Sequence, residues 1–219
     1  MSARRIRPLT ASDLPLLPDP CSRCTFWEAS LSDLATSSDH RDGAHAKLQW
    51  AEDVTARWGH CGVMAQNDGE VIGFLTMAPS AFVPRLGAFA TTPISQDAAV
   101  LMSVRVLPEF QRKGIGRQLV QSAAALVARR DIRALEAVGT ERDGPSCMLP
   151  ASWLQSVGFT VVRPHPITPR LRMDLQSTVR WRPDLGAAWQ RLTGLVPQGA
   201  PPEPAGFEQV QRETLFEAR

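Results

Sequence analysis

Tyrosine is absent from all 219 residues, so no phenol is available to give or take a proton in any chemistry the chain performs. No apolar stretch approaches the ~20 residues that a helix needs to cross a bilayer. The opening MSARRIRPLTASDL has no apolar leader region, so no membrane partner is expected and a cytoplasmic address follows as the expectation. Neither sign of charge dominates: 24 Lys and Arg against 22 Asp and Glu leave +2. With no Lys/Arg run interleaved with aromatics, nucleic acid is not an expected partner. Cysteine is confined to positions 21, 24, 61 and 147. Cys21-Ser22-Arg23-Cys24 is half of a zinc pattern, and no second C-x-x-C or H-x-x-x-H pair completes it. A four-thiolate site would need the fold to bring in Cys61 and Cys147. Reduced thiols and no metal are the expectation.

What is present is ordinary in bulk and specific in one place. A 43% hydrophobic and 21% charged chain of this length supports one sizeable core, or one domain with an appendage. Residues 98–106, AAVLMSVRV, form an almost unbroken apolar run ended by Pro108, which reads as a buried strand. From Gly114 the period changes. Ile115, Leu119, Ala123, Leu126 and Val127 share one helical face, with Arg129 and Arg130 at the carboxyl end. Between strand and helix lies Gln111-Arg112-Lys113-Gly114-Ile115-Gly116. Two glycines let the backbone approach a bulky ligand, and the first N–H groups of a helix lack internal partners. With Arg112, Lys113 and Arg117 they suit a pyrophosphate. A basic turn that merely needs glycine is the plain alternative. The P-loop is excluded because Arg117-Gln118 follows Gly116 where Lys-Ser/Thr is required. The dinucleotide fingerprint is excluded because Leu119 stands where the third glycine belongs.

The segment Val104-Arg105-Val106-Leu107-Pro108-Glu109-Phe110-Gln111-Arg112-Lys113-Gly114-Ile115-Gly116 resembles, without a gap, the central motif V-x-x-P-x-x-(Q/R)-x-x-G-x-(G/A) of the GNAT superfamily of acyl-CoA-dependent N-acyltransferases. The order of the flanking segments resembles that family from about residue 4 to 175. The resemblance implies an α/β fold: a mixed, mostly antiparallel sheet of about six or seven strands, flanked by helices, with splayed central strands. Residues 1–178 would be the acyltransferase domain, and 179–219 a helical appendage with a Pro/Gly-rich tail.

In chain order, Arg4 to Leu9 reads as a strand, and Thr10 to Asp13 as a capping box opening a short helix through Leu17. The polar stretch LSDLATSSDHRDG reads as loop, and residues 44–58 as a helix. Strands at 62–66 and 71–78 flank Asn67-Asp68-Gly69-Glu70, a hairpin signal. Residues 79–97 hold three prolines, one glycine and little periodicity, read as a lid over the substrate mouth or as a packed insertion. A strand at 132–138, a helix at 150–157, a strand at 159–163 and a last strand at 171–175 follow. A helix at 184–195 is expected in the appendage.

The resemblance implies acetyl-CoA as cosubstrate, with pantetheine entering between the splayed strands. Backbone of Val104, Arg105 and Val106 would pair with it, and Gln111, Arg112, Lys113, Gly114, Ile115, Gly116 and Arg117 would hold the pyrophosphate. The partner is an amine acceptor, small molecule or protein, and many relatives are dimers. Glu136 is the candidate base, because a carboxylate in an apolar strand needs a partner or a job. The plain reading is an arginine-paired Glu136, with Arg133 or Arg105. Glu141, on the loop beyond, is the second candidate. The family's usual general acid is a tyrosine, and Leu154 occupies its place, with Cys147 where an asparagine is usual. Ser146, Ser152, Cys147 or a water are substitutes, or the thiolate leaves unassisted, as a pKa of ~8.5 permits. His60 and His165 are further candidates, and Phe82, Phe89 and Trp27 candidate pocket walls. A non-catalytic acyl-CoA sensor and a small zinc-stabilised protein are the rival readings.

Overall fold

A computed structural model describes residues 4–32, 42–130, 132–142 and 147–175. Ser146, most of the polar stretch before residue 42 and the appendage at 179–219 lie outside them. The sheet is built in the order β1 (Arg4–Leu9), β2 (Gly62–Asn67), β3 (Glu70–Pro79), β4 (Ala98–Val106), β5 (Ala134–Thr140), β8 (Arg170–Asp174), β7 (Thr160–Arg163), with the two-residue β6 (Leu149–Pro150) on β5. The first four pair antiparallel, as do β5, β8 and β7; β4 and β5 are parallel. The sheet thus has the six or seven expected strands and a short extra one.

Local chemistry accounts for most boundaries. Asp68 and Gly69 take φ of 49° and 90° in the β2–β3 turn, the left-handed geometry that an Asn-Asp-Gly sequence tolerates. Asp13 accepts from the Thr10 amide at 3.0 Å, closing the expected capping interaction. The helix it opens is a 3-10 turn, Ala11–Leu16, because Pro15 lies inside it. Arg7 grips the same carboxylate at 2.8 and 2.6 Å, fastening β1 to that turn.

Helix α1 (Asp42–Trp58) buries Ala51, Val54 and Trp58. Helix α2 (Ile115–Ala128) lies on β2, β3 and β4 through Ile115, Leu119, Ala123 and Val127, with Val120 and Ala124 also buried and Leu126 only partly so. Strand β5 is buried at every position, which is why its alternation reads imperfect: both faces are covered. The short α3 (Ala151–Ser156) packs against β5 to β8. Residues 79–97 form two 3-10 turns anchored by buried Val83, Leu86 and Ile94. The Trp50 indole donates to the Phe82 carbonyl at 2.7 Å, so this segment is a packed insertion.

Candidate active site

The central fork comes first. β4 and β5 are in register only at Ala98↔Ala134, Ala99↔Leu135 and Val100↔Glu136. Among the described residues, the rest of β4 beyond Val100 has no ladder partner on that side, although Val104, Arg105 and Val106 still pair with Leu75, Phe74 and Gly73 of β3. A register shift between Thr76 and Met77 leaves Met102 without an opposite residue, and such a bulge bends a strand away from its neighbour. The amides of Gly139 and Glu141 reach the carbonyls of Pro169 and Ile167 on the β8 side. Thr140 therefore turns the other way, and β6, paired at Gly139 and Thr140, thickens the β5 wall of the gap at its mouth.

The loop at the open end continues from β4. Gln111 Nε2 donates to the Val106 carbonyl at 3.0 Å, folding the loop back on the strand. Arg112 and Gly114 have φ of 58° and 78°, and, its own chain neighbours aside, no atom of the described residues lies within 4 Å of where a Gly114 Cβ would stand. Gly114 caps α2, and the helix's first backbone bond is Gln118 N–H to the Gly114 carbonyl at 3.1 Å. The amides of Ile115, Gly116 and Arg117 precede it and point out of the helix start. Gly116 fits closely: a Cβ there would meet the Trp153 ring at 3.1 Å. Of the three expected cations, Arg112 and Lys113 are exposed, with Lys113 over the Phe110 ring at 5.2 Å. The Arg117 guanidinium instead donates to the Ser156 carbonyl at 2.6 Å and braces α3, so that what Arg117 presents at the helix start is its amide.

The gap between the parallel strands runs from a three-residue junction ending at Val100 to the glycine-capped start of α2. Residues 24–147, more than half the chain, match the family model described as Acetyltransferase (GNAT) family. The chain belongs to the GNAT acetyltransferase family. No curated protein sequence matches it. Among solved structures, it is similar to PaiA N-acetyltransferase from Thermoplasma acidophilum in complex with coenzyme A, at 17% identity and TM-score 0.51, covering 78% of this chain and 99% of that one. An acetyltransferase of the GNAT family from Staphylococcus aureus Mu50 is similar at 12% identity and TM-score 0.50, covering 79% and 99%. These likenesses concern the fold; the family match supports acetyl transfer as the general chemistry.

In this GNAT fold Glu136 stands at the fork, opposite Val100, and is fully buried. One oxygen accepts from Arg170 at 2.9 Å and from the Ser95 amide at 3.2 Å; the other accepts from Arg172 at 3.0 Å. Glu136 is arginine-paired, and its partners are Arg170 and Arg172 rather than the expected Arg133 or Arg105. Arg172 also holds Asp97 at 2.9 Å through two nitrogens and Asp174 at 2.8 Å. Asp97 holds Arg172 in its charged form, and that hydrogen bond keeps the Asp97 carboxyl below its ordinary value. The signal for these partners lies in β8, where arginines at alternate positions point to one face.

Glu141 is exposed at the end of β5. Cys147 is exposed, and its sulfur meets that of Cys24 at 3.5 Å. Cys61 lies elsewhere, buried and bonded to the Leu9 carbonyl, so it does not join the other thiols. Among the described residues, no three metal-ligating side chains are placed to hold a metal. Leu154 is fully buried in the core, so the tyrosine place here faces packing rather than a reacting group. His60 is buried against Trp58 at 4.7 Å, near Arg130 at the carboxyl end of α2, away from the glycine loop. His165 Nδ1 accepts the amides of Ile167 and Thr168 and closes a local turn.

Proposed function

We propose that the protein is an N-acetyltransferase that moves the acetyl group of acetyl-CoA to a primary amine by direct attack in a ternary complex. The observation that carries this is the β4–β5 fork closing at Val100 and opening toward the Gly114 start of α2. The fork-side backbone of Val104 to Val106, where Gln111 already takes the Val106 carbonyl, suits an extended amide chain, and the helix start suits phosphate oxygens. The open space over Gly114 accepts a bulky group. In this reading residues 1–178 are the catalytic domain and 179–219 an appendage.

Bound acetyl-CoA would supply an activated acyl thioester. The chain's contribution is to hold it in line with the amine and away from water, the largest gain available to a transfer between two bound partners. The amide groups at the fork orient the carbonyl. Exposed Glu141 is the carboxylate offered to an incoming ammonium. With no tyrosine in the chain, the thiolate leaves unassisted, as a thiol pKa of ~8.5 permits near neutral pH.

Calorimetric titration with acetyl-CoA and with CoA tests the cradle, and an amine panel followed by release of free CoA tests turnover. Micromolar binding with turnover is the expected outcome. Absence of binding to either would refute the reading. Binding without turnover on any amine would favour a non-catalytic acyl-CoA sensor, a second reading supported by the engaged oxygens of Glu136 and the buried Leu154.

A further inference from the structure

The C-x-x-C motif remains unexplained by acetyl transfer, and its second cysteine contacts a sulfur from far along the chain. Cys24 Sγ and Cys147 Sγ lie 3.5 Å apart, separated by 123 positions. Neither belongs to a helix, and Cys147 lies outside any ladder, so closure to the ~2.05 Å of a disulfide needs loop movement only. Around them the structure is ordered by buried polar contacts. Lys47, 5% exposed, donates to the Cys24 carbonyl at 2.7 Å and to Glu28 at 2.8 Å. The Trp27 indole donates to the Cys147 carbonyl at 3.2 Å and packs against Phe89 at 5.6 Å. The two cysteine backbones are thus each held by a separate anchor, with the thiols facing one another.

We propose that Cys24 and Cys147 form an oxidative modification site, closing an intramolecular disulfide when the protein meets a low-molecular-weight disulfide such as oxidised glutathione. The motif itself suggests Cys21 and Cys24 as the pair; the contact favours Cys147. The bond shared with Cys147, then the backbone hydrogen bond from Phe26 and the charge of Lys47, push the Cys24 thiol down to about 6 against burial and Glu28, and the Phe26 bond is what favours the thiolate on Cys24. Cys24 is therefore the attacking thiolate. Burial pushes the Cys21 thiol up, and Cys61 is pushed up to about 12 by the same cause.

The exchange balances in two steps. Cys24 Sγ attacks one glutathione sulfur, the glutathione S–S bond breaks, and one glutathione leaves and takes a proton. The Cys147 thiol is held protonated by its bond to Cys24, by burial and by the Cys24 charge; the mixed disulfide removes that charge. Cys147 then loses its proton to solvent and attacks Cys24 Sγ, and the second glutathione leaves and is protonated. Two electrons pass from the protein thiols to glutathione, and no other reactant is needed.

The test is on the full chain, equilibrated across graded ratios of reduced to oxidised glutathione, quenched by alkylation and mapped as peptides without reduction. The expected result is a Cys24–Cys147 cross-linked peptide with two of the four free thiols lost, absent in both Cys24→Ser and Cys147→Ser. The thermal midpoint should rise on oxidation in the parent and stay level in Cys147→Ser, since a cross-link over a long loop restricts the unfolded chain. A Cys21–Cys24 link, or glutathione retained on Cys24 with no cross-link, would overturn the proposal. The experiment involves neither acetyl-CoA nor an amine, so its outcome is independent of the acetyltransferase reading.

Discussion

Glu136 and Arg172 are direct register partners across β5 and β8, with carboxylate and guanidinium 3.0 Å apart. Because Arg172 also holds Asp97, the residue just before β4, this one side chain ties three strands together at the closed end of the fork. Replacing Glu136 by Gln removes the fully buried carboxylate of the cluster and takes the carboxylate partner from Arg170, while Arg172 keeps Asp97 and Asp174. The expected loss is about 2–4 kcal/mol in urea unfolding, with the pH profile of turnover unchanged. A Glu136→Gln protein of parental stability but lost turnover would return the base role to that residue.

The glycine loop separates two effects by position. Gly114 needs its left-handed backbone, and its missing side chain leaves open space. Gly114→Ala should cost about 1 kcal/mol of stability, and Gly114→Glu should add at least a tenfold loss of CoA affinity through bulk and charge at the helix start. Gly116→Ala instead presses its methyl on Trp153 at 3.1 Å, so its first effect should be on stability. Calorimetry beside urea unfolding reads both.

Acid sensitivity has an assigned source. Burial, reinforced by the charge of Arg130, pushes His60 down to about 4 from its ordinary 6.5. The unfolded chain therefore binds a proton that the fold excludes, and stability should fall as pH drops from about 6.5 toward 4, by at most about 1.4 kcal/mol per pH unit. His60→Phe should flatten that limb. Asp13 acts at lower pH: burial opposes its charge, but hydrogen bonds from Arg7 and Thr10 outweigh it and hold the carboxyl below its usual 3.8. Its contribution is present above about that pH and is lost below it.

Leu154 provides a test of sequence alignment against packing. Restoring the family's tyrosine by Leu154→Tyr inserts a larger ring and a hydroxyl into a fully buried position. The expected outcome is destabilisation of about 1–3 kcal/mol, with no gain in turnover. Increased turnover at unchanged stability would place that side chain at the reacting group after all.

Local chemistry is what the sequence makes legible. The β2–β3 turn, the capping residue Asp13 and the strand–glycine–helix unit each depend on a few neighbouring residues, and each is where the residues point. The fork is only half legible: Val104 to Gly116 mark its loop, but the three-residue junction depends on strands separated by a whole helix. Proximity along the chain suggests Arg133 as a partner of Glu136, whereas antiparallel pairing presents Arg170 and Arg172. Cys24 and Cys147 carry no joint signal at all, since their contact exists only once the loops flanking the sheet are folded. Residues 79–97 lack periodicity because isolated apolar side chains, not a repeating face, fix them.

The fork also bears on how this sheet avoids its own kind. Leu101 to Val106 have the hydrogen-bonding character of an edge strand although neighbours flank them on both sides. Exposed edges are where sheets of separate molecules join. Here that edge is one arm of a V whose other arm is β5 with β6, so a strand approaching from outside meets those walls first. The protein can therefore keep a reactive ladder open for a slender guest without offering a template for aggregation.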